Sequence, residues 1–295
     1  MRLSLLLPFA PTRPEQAAVF GKLVQSGAAA RLWQGQGTTL DAHHLIAWLA
    51  GRGIAVPSGF GVSLMPLRSP HQAALEARST ALSTGLPVVA GFGPGSVELQ
   101  RGVLGGPYPS PLGAARGYLG EVRGLLAGSP SDVELGLGVL RPGMAGLAGE
   151  IADVAITWLA SAGYLAGALV PAIRAARRSV PGAARVVAIV PVAVAGPGRD
   201  AAALAEASCG AHVRAPHYRD MLGRAGVRLT GDAAADARAV IEAGVVVHGR
   251  PDEVREQLDA YRLAGVDEVV LNLSGTAALH GPKAAAKDLL TLLRG

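Results

Sequence analysis

Short apolar runs alternate with longer amphipathic stretches along the whole chain, the pattern of parallel strands covered by helices. The runs that read as buried strands are Leu3 to Leu7, Ala30 to Gln34, Gly59 to Met65, Pro87 to Phe92, Val133 to Leu140, Asp153 to Trp158, Val186 to Val194 and Glu268 to Leu273. Eight such units close a barrel more naturally than they extend an open sheet. The predicted fold is therefore α/β, a (β/α)8 TIM barrel, with residues 1–295 forming one domain.

Local boundary chemistry supports the helices between the strands. Thr12-Arg13-Pro14-Glu15 has capping-box spacing with Pro in the first turn, and Ser69-Pro70-His71-Gln72 repeats the device, with Gln72 predicted to reach back to the start of its helix. Gly85 suits the left-handed residue that ends a helix before the strand at Pro87. Pro251 opens another helix, Asp252 and Glu253 complement its dipole, Val254, Leu258 and Tyr261 form one apolar stripe, and Gly265 ends it. Ala277 to Leu293 reads as a single closing helix. Residues 195–244, between the seventh strand and this last unit, are too many for a simple connection and predict a helical insertion over one barrel end.

Composition narrows the class. Half of the 295 residues are apolar and only 4% are aromatic, which predicts a globular core of Ala, Val and Leu. Mean hydropathy is +0.34, yet no stretch approaches the roughly 18 uninterrupted apolar residues of a spanning helix, and Pro8, Pro11 and Glu15 interrupt any leader-like start. A soluble, cytoplasmic protein is the expectation, with no membrane association. Lys and Arg total 27 against 22 acidic residues, but they are scattered and not interleaved with aromatics, so a nucleic-acid surface is not expected and an anionic small ligand is. Cys209 is the single cysteine, in an Ala-rich helical stretch without an activating neighbour; it excludes an internal disulfide and any cysteine-cluster metal site.

Candidate chemistry concentrates after the strands. Gly91-Phe92-Gly93-Pro94-Gly95-Ser96 closes the fourth, where glycines admit close backbone approach to a planar or anionic ligand. Its spacing is not GxGxxG, which disfavours a Rossmann dinucleotide site. Arg141-Pro142-Gly143-Met144 follows the fifth strand and opens a helix, joining a guanidinium to free amide groups in a phosphate-binding arrangement; the alternative is an Arg141 paired with a surface carboxylate such as Glu150. His43 and His44 point about 100° apart on one helix and cannot share a metal. His43 either overhangs the barrel mouth as a proton donor or serves the surface, and His217 and Tyr218 in the insertion stand in the same position. GxSxG, HExxH and GxxxxGK[ST] are all missing from the sequence. A barrel with Gly-rich mouths and no evident triad suits a protein whose cofactor carries the chemistry.

Three stretches carry a family resemblance: Gly61-Val62-Ser63-Leu64-Met65-Pro66-Leu67-Arg68-Ser69-Pro70, Gly91-Phe92-Gly93-Pro94-Gly95, and Gly249-Arg250-Pro251-Asp252-Glu253-Val254 with Ala264-Gly265-Val266-Asp267-Glu268. Together the chain resembles the luciferase-like monooxygenase superfamily, TIM barrels that bind FMN or the deazaflavin coenzyme F420. Ala152-Asp153-Val154-Ala155-Ile156-Thr157-Trp158-Leu159, Tyr164-Leu165 and Val170-Pro171-Ala172-Ile173 look like its F420-dependent branch. The resemblance implies a cofactor ring seated across the C-terminal strand ends. It implies a third-strand bulge at Val62 and Ser63, often with a non-proline cis peptide, beneath that ring. Arg141, Pro142 and Gly143 would meet the phosphate, Thr157 or Trp158 would flank it, and Gln36, Gly93 and Ser96 would complete the cofactor loops.

Two departures accompany the resemblance. Where relatives often carry an acid followed by His after strand two, this chain has Leu32-Trp33-Gln34-Gly35-Gln36-Gly37, and where some deazaflavin enzymes carry a catalytic Glu it has Ser96, leaving Glu98 as an offset substitute. The catalytic residues are left unassigned. The implied activity is F420-dependent hydride transfer that reduces an activated C=C or C=N bond of a small-molecule or peptide substrate, with peptide dehydroamino acids among the candidates. Phe9, Trp33, His43 and Tyr218 are the predicted substrate contacts, Phe9 and Trp33 together with Trp158 forming an apolar entrance. The alternatives are an FMN-dependent monooxygenase and a non-catalytic cofactor-binding or assembly barrel. No metal is expected, and the family resemblance implies a homodimer.

Overall fold

The computed structural model describes residues 1–37 and 39–294. Its strands are β1 (Arg2–Leu6), β2 (Leu32–Gln34), β3 (Ser58–Leu64), β4 (Val88–Gly93), β5 (Val133–Val139), β6 (Val154–Trp158), β7 (Arg185–Val194), β8 (Val247–Gly249) and β9 (Glu268–Asn272). Neighbours pair in parallel from β1 through β7, and β9 pairs with both β7 and β1, so these strands close a barrel. The sheet has one strand more than the sequence predicts. The Val245-Val246-Val247 run adds β8 alongside Val192–Val194, the upper end of β7, while β9 takes the lower part of the same strand.

Around the barrel lie α1 (Ala18–Gln25), α2 (Ala42–Gly51), α3 (Pro70–Thr84), α4 (Val97–Leu104), α5 (Pro111–Leu126) and α6 (Pro142–Ile151). After β6, α7 (Ala162–Tyr164) passes through a π-helical turn, Leu165–Leu169, into α8 (Val170–Ala175). The long connection after β7 forms α9 (Ala201–Arg214), α10 (Pro216–Arg224) and α11 (Ala233–Glu242), and the chain ends with α12 (Pro251–Leu263), α13 (Ser274–His280) and α14 (Pro282–Leu293). The predicted single closing helix is thus two. Gly281 sits at φ +85° and Pro282 has no amide hydrogen to continue a helix, so the chain turns there.

Two predicted capping boxes differ in their partners. At the first helix the backbone amides of Thr12 and Arg13 donate to Gln16 Oε1, at 2.8 and 3.1 Å, and Glu15 takes no part in the box. Ser69 does accept from the Gln72 amide at 3.2 Å, but the Gln72 side chain donates forward to Glu76 at 3.0 Å instead of reaching back. Gly85 adopts the predicted left-handed conformation, φ +66°.

The core has two layers. One lies between strands and helices; the other fills the barrel with Trp33, Val89, Val154, Ile156, Val187, Ile189 and Val270. Trp33 needs a glycine beneath it, because a Cβ on Gly59 would stand 2.4 Å from the indole. Its Nε1 donates to Glu268 Oε1 at 2.7 Å, and Ser4 Oγ donates to the same oxygen at 2.7 Å. Arg185 bridges Glu268 at 3.4 Å and Glu134 at 2.6 Å, and Arg31 NH1 donates to the carbonyls of Ser58 and Pro87. This buried network closes the N-terminal end of the barrel and leaves the other end for chemistry.

Candidate active site at the C-terminal end of the barrel

The C-terminal strand ends and the insertion enclose a cavity of about 1020 Å³. Its floor begins at β3, where the pairing with β4 shifts between Phe60 and Ser63 and the Gly61–Val62 peptide is cis. The Val62 side chain lies against two glycines of neighbouring strands. A Cβ on Gly93 would come within 2.9 Å of Val62 Cγ2, and one on Gly138 within 3.2 Å of Cγ1. Glycine at both positions keeps this floor low, and Ile156 and Ile189 extend it. The fold has therefore built a slot with a broad apolar base.

Polar groups stand at its margins. Gln36 Oε1 accepts from the Leu64 amide at 3.2 Å and from Arg68 at 3.0 Å, and Arg68 is itself held by Asp41 at 3.0 Å and Glu76 at 2.9 Å. The Gly-rich loop is fastened by Gln100, whose Nε2 donates to the carbonyls of Pro94 and Gly95 while Oε1 accepts from the Tyr108 amide. Ser96 caps α4 by accepting from the Leu99 amide, and its hydroxyl together with backbone donation holds the Glu98 carboxyl below the usual range.

Arg141 reaches the cavity rim, where its Nε meets Asp220 on α10 at 2.8 Å, and Asp220 also takes Arg224 at 2.8 Å. Glu150, the alternative partner, is instead held by both terminal nitrogens of Arg116 at 2.6 and 2.7 Å. Pro142 and Gly143 form the exposed first turn of α6, and of this segment Arg141 and Met144 line the cavity.

The insertion supplies a cluster of rings to the cavity wall. His212 on α9 meets Trp158 edge-on with centroids 5.4 Å apart and Tyr218 at 5.3 Å, and His217 lies 4.5 Å from Tyr218. Burial lowers the pKa of His212, and the neighbouring His217 charge lowers it further. Burial lowers His217 as well, against the pull of Glu98, and raises Tyr218. Both imidazoles are biased toward the neutral form, and both line the cavity.

Of the predicted site residues, Phe9, Gln36, Val62, Gly93, Ser96, Arg141, Trp158 and Tyr218 line this cavity. Ser63 and Thr157 are buried outside the lining, the Thr157 hydroxyl turning to the Val187 carbonyl at 3.4 Å, and Pro142 and Gly143 are exposed outside it. Two predicted substrate contacts are corrected by their packing. Trp33 fills the barrel interior below the slot instead of its entrance. His43 is on the buried side of α2, its Nδ1 on Thr80 at 2.9 Å and its ring stacked 3.8 Å from Phe60. Burial lowers its pKa to about 4, and Glu76, although 4.0 Å from Nε2, is committed to Arg68. Cys209 is buried with its thiol pushed up to about 12, consistent with packing and not with nucleophilic chemistry.

His212, Gln100 and Asn272 are the wall residues that sequence reasoning passed over. For His212 a signal exists: it lies four residues after Ser208 on the predicted insertion helix, and both face the cavity. Among the described residues, no group of three or more His, Cys, Asp or Glu is placed to hold a metal, and no helix is long and apolar enough to cross a membrane.

The sequence profile of the family described as luciferase-like monooxygenase matches residues 1–268. The chain belongs to that family. No curated protein matches this luciferase-like chain in sequence. Among solved structures, the coenzyme F420 dependent tetrahydromethanopterin reductase from Methanopyrus kandleri superposes with a TM-score of 0.73 at 19% identity, covering 98% of this chain and 97% of its own. An F420-dependent secondary alcohol dehydrogenase, in complex with an F420-acetone adduct, also reaches 0.73 at 14% identity, covering 99% and 98%. The oxygenating constituent of 3,6-diketocamphane monooxygenase from Pseudomonas putida, a type II Baeyer–Villiger enzyme in complex with FMN, gives 0.68 at 14% identity, covering 100% and 97%. At these identities the likeness is one of fold. The luciferase-like family makes this chain an oxidoreductase.

Proposed function

We propose that this protein is an F420-dependent oxidoreductase that reduces an activated C=C or C=N bond. The observation that carries the reading is the slot itself: an apolar base cleared by Gly93 and Gly138 around Val62, a cationic rim at Arg141, and the imidazoles of His212 and His217 in the lining. Such a base fits a planar ring system, because a side chain at either glycine would intrude on the space Val62 occupies. Arg141 and the N-terminus of α6 fit an anionic tail, since a helix N-terminus and a guanidinium both favour negative charge. F420 in preference to FMN draws support from the two solved structures at TM-score 0.73, both described as F420-dependent.

When bound, the reduced coenzyme supplies a hydride. The chain's own residues do the rest. Val62, Ile156 and Ile189 give the ring an apolar bed, Gln36 presents an amide held in place by Arg68, and Phe9 and Tyr108 shape an apolar mouth beside the bed. Alignment of this kind removes several kcal/mol of the barrier to transfer when the reacting atoms are held about 3–3.5 Å apart. The cavity volume of about 1020 Å³ suits an organic substrate larger than a simple ketone, including a peptide with a dehydroamino acid.

Side-by-side titration of the protein with F420 and FMN, each oxidised and reduced, tests the reading through absorbance and fluorescence. Preferential F420 binding, followed by turnover of 2-cyclohexenone or a dehydroalanine peptide, is the expected result. Preferential FMN binding with oxygen consumption overturns it in favour of a monooxygenase. Binding of neither leaves a barrel that has kept the fold without the chemistry.

A further inference from the structure

The usual acid-base pair after the second strand is missing, and the cavity's proton chemistry must come from elsewhere. Among the described residues only two imidazoles line the cavity, His212 and His217, and both belong to the insertion. His212 occupies the inner position. Its helix turns Ser208, Ala211, His212 and Ala215 to the cavity, one continuous face. That face is fastened to the barrel twice. Ser208 Oγ and Ser274 Oγ meet at 3.0 Å, and Gly275 packs so closely on α9 that a Cβ there would stand 2.1 Å from the Leu204 carbonyl.

The imidazole is thus held over the slot by rigid elements, between the Trp158 edge and Tyr218. Among the described residues none hydrogen-bonds either of its ring nitrogens, in contrast to His43, which Thr80 engages. A side chain positioned by packing alone, with both nitrogens unspent beside a cavity, is arranged to exchange a proton with whatever occupies it.

We propose that His212 is the catalytic acid-base residue of this enzyme, exchanging the proton that accompanies hydride transfer, with His217 and Glu98 as its route to solvent. The proposal rests on the F420 reading above. In the reductive direction the acceptor carbon gains a hydride from the reduced deazaflavin, and the π electrons of the C=C or C=N bond move to the distal atom. That atom takes the proton from the His212 imidazolium, leaving product, oxidised deazaflavin and neutral His212. His217, next to Tyr218 and lowered by burial with Glu98 opposing that shift, returns a solvent proton. The groups facing His212 are His217 and Tyr218 from α10, Trp158 from β6 and Ser208 on its own helix, while Glu98 and Arg141 act on His217 from the rim. The reductive rate therefore falls as pH rises through the His212 pKa, which lies below the ordinary histidine value.

The test uses the full chain with 15N-labelled histidine, titrated with F420 and in parallel with FMN, the His212 ring signals being assigned by His212→Gln. With F420 bound, the His212 signals and their titration curve shift, while H212Q keeps its thermal midpoint and binds F420 within about twofold of wild type. In that variant the turnover of a substrate reduced by the wild type drops about 10²–10⁴-fold and loses its dependence on pH in this range. His212 signals unmoved under saturating F420, or unchanged turnover in H212Q, overturn the role of His212 and leave the cofactor reading standing. Failure of F420 to bind, by contrast, overturns the cofactor reading and this role with it.

Discussion

At the scale of single residues, Arg141 and His43 show how far a side chain's partners decide its role. Arg141 is 47% exposed and its partner Asp220 42%, so their pair adds little to stability and leaves the guanidinium available to an anion. Arg141→Ala is expected to weaken F420 binding by about 1.5–3 kcal/mol, roughly 10- to 150-fold in Kd, by isothermal titration calorimetry. Unchanged affinity removes Arg141 from the site. His43 carries a prediction about pH. Its pKa falls from 6.5 to about 4 in the folded chain, chiefly through burial. The unfolded chain therefore takes up a proton at His43 before the folded one does. Stability is full above the ordinary value, is lost as pH falls, and is gone below about 4, a loss of roughly 3 kcal/mol. His43→Gln should flatten that part of the stability curve in urea denaturation between pH 7 and 4, whereas a curve parallel to wild type contradicts it. Neither residue's setting was legible in the sequence. That Arg141 follows a strand and opens a helix could be read locally, but Asp220 lies 79 positions away, and only the packing of the insertion brings them together.

At the scale of elements, what the sequence does show clearly is where strands and helices start and stop. Proline in first turns, Gly85 in a left-handed turn and serines at helix starts are local chemistry, readable without the fold. The break at Gly281-Pro282 was equally written there, whereas β8 has only three residues, Val247–Gly249, shorter than a typical strand. The spacing between strands is another matter, because it depends on glycines whose purpose appears only across the sheet. A Cβ on Gly91 would meet the Phe60 carbonyl oxygen at 2.3 Å and Ile156 Cδ1 at 2.3 Å. Backbone cannot yield there as a side chain tip does. Gly91→Ala should therefore force β3 and β4 apart and cost about 1–3 kcal/mol, seen as a lower midpoint in chemical denaturation. An alanine variant as stable as wild type would show that the strands tolerate the wider spacing.

At the scale of the whole molecule, the two barrel ends are built on opposite principles. The N-terminal end spends its charges on one another: Glu268 is fully buried and takes Ser4, Trp33 and Arg185, with Arg31 close by. Removing one member strands the rest. Glu268→Ala should lower stability by about 3–5 kcal/mol, the cost of uncompensated buried cations, measured as a shift of the urea midpoint at constant slope. A loss below 1 kcal/mol would mean that water reaches Arg31 and Arg185 once the carboxylate is gone. The C-terminal end keeps its polar groups facing an open cavity, where the insertion completes the wall. By itself the sequence determined the eight barrel strands in order, the barrel class and the helical character of the stretch after β7, because periodicity and turn chemistry act over a few residues. Tertiary structure alone decided that Trp33 fills the interior, that His43 is buried and that His212 faces the slot. Each of those outcomes depends on barrel closure, which sets residues such as Trp33 and Glu268 side by side across 235 positions of chain.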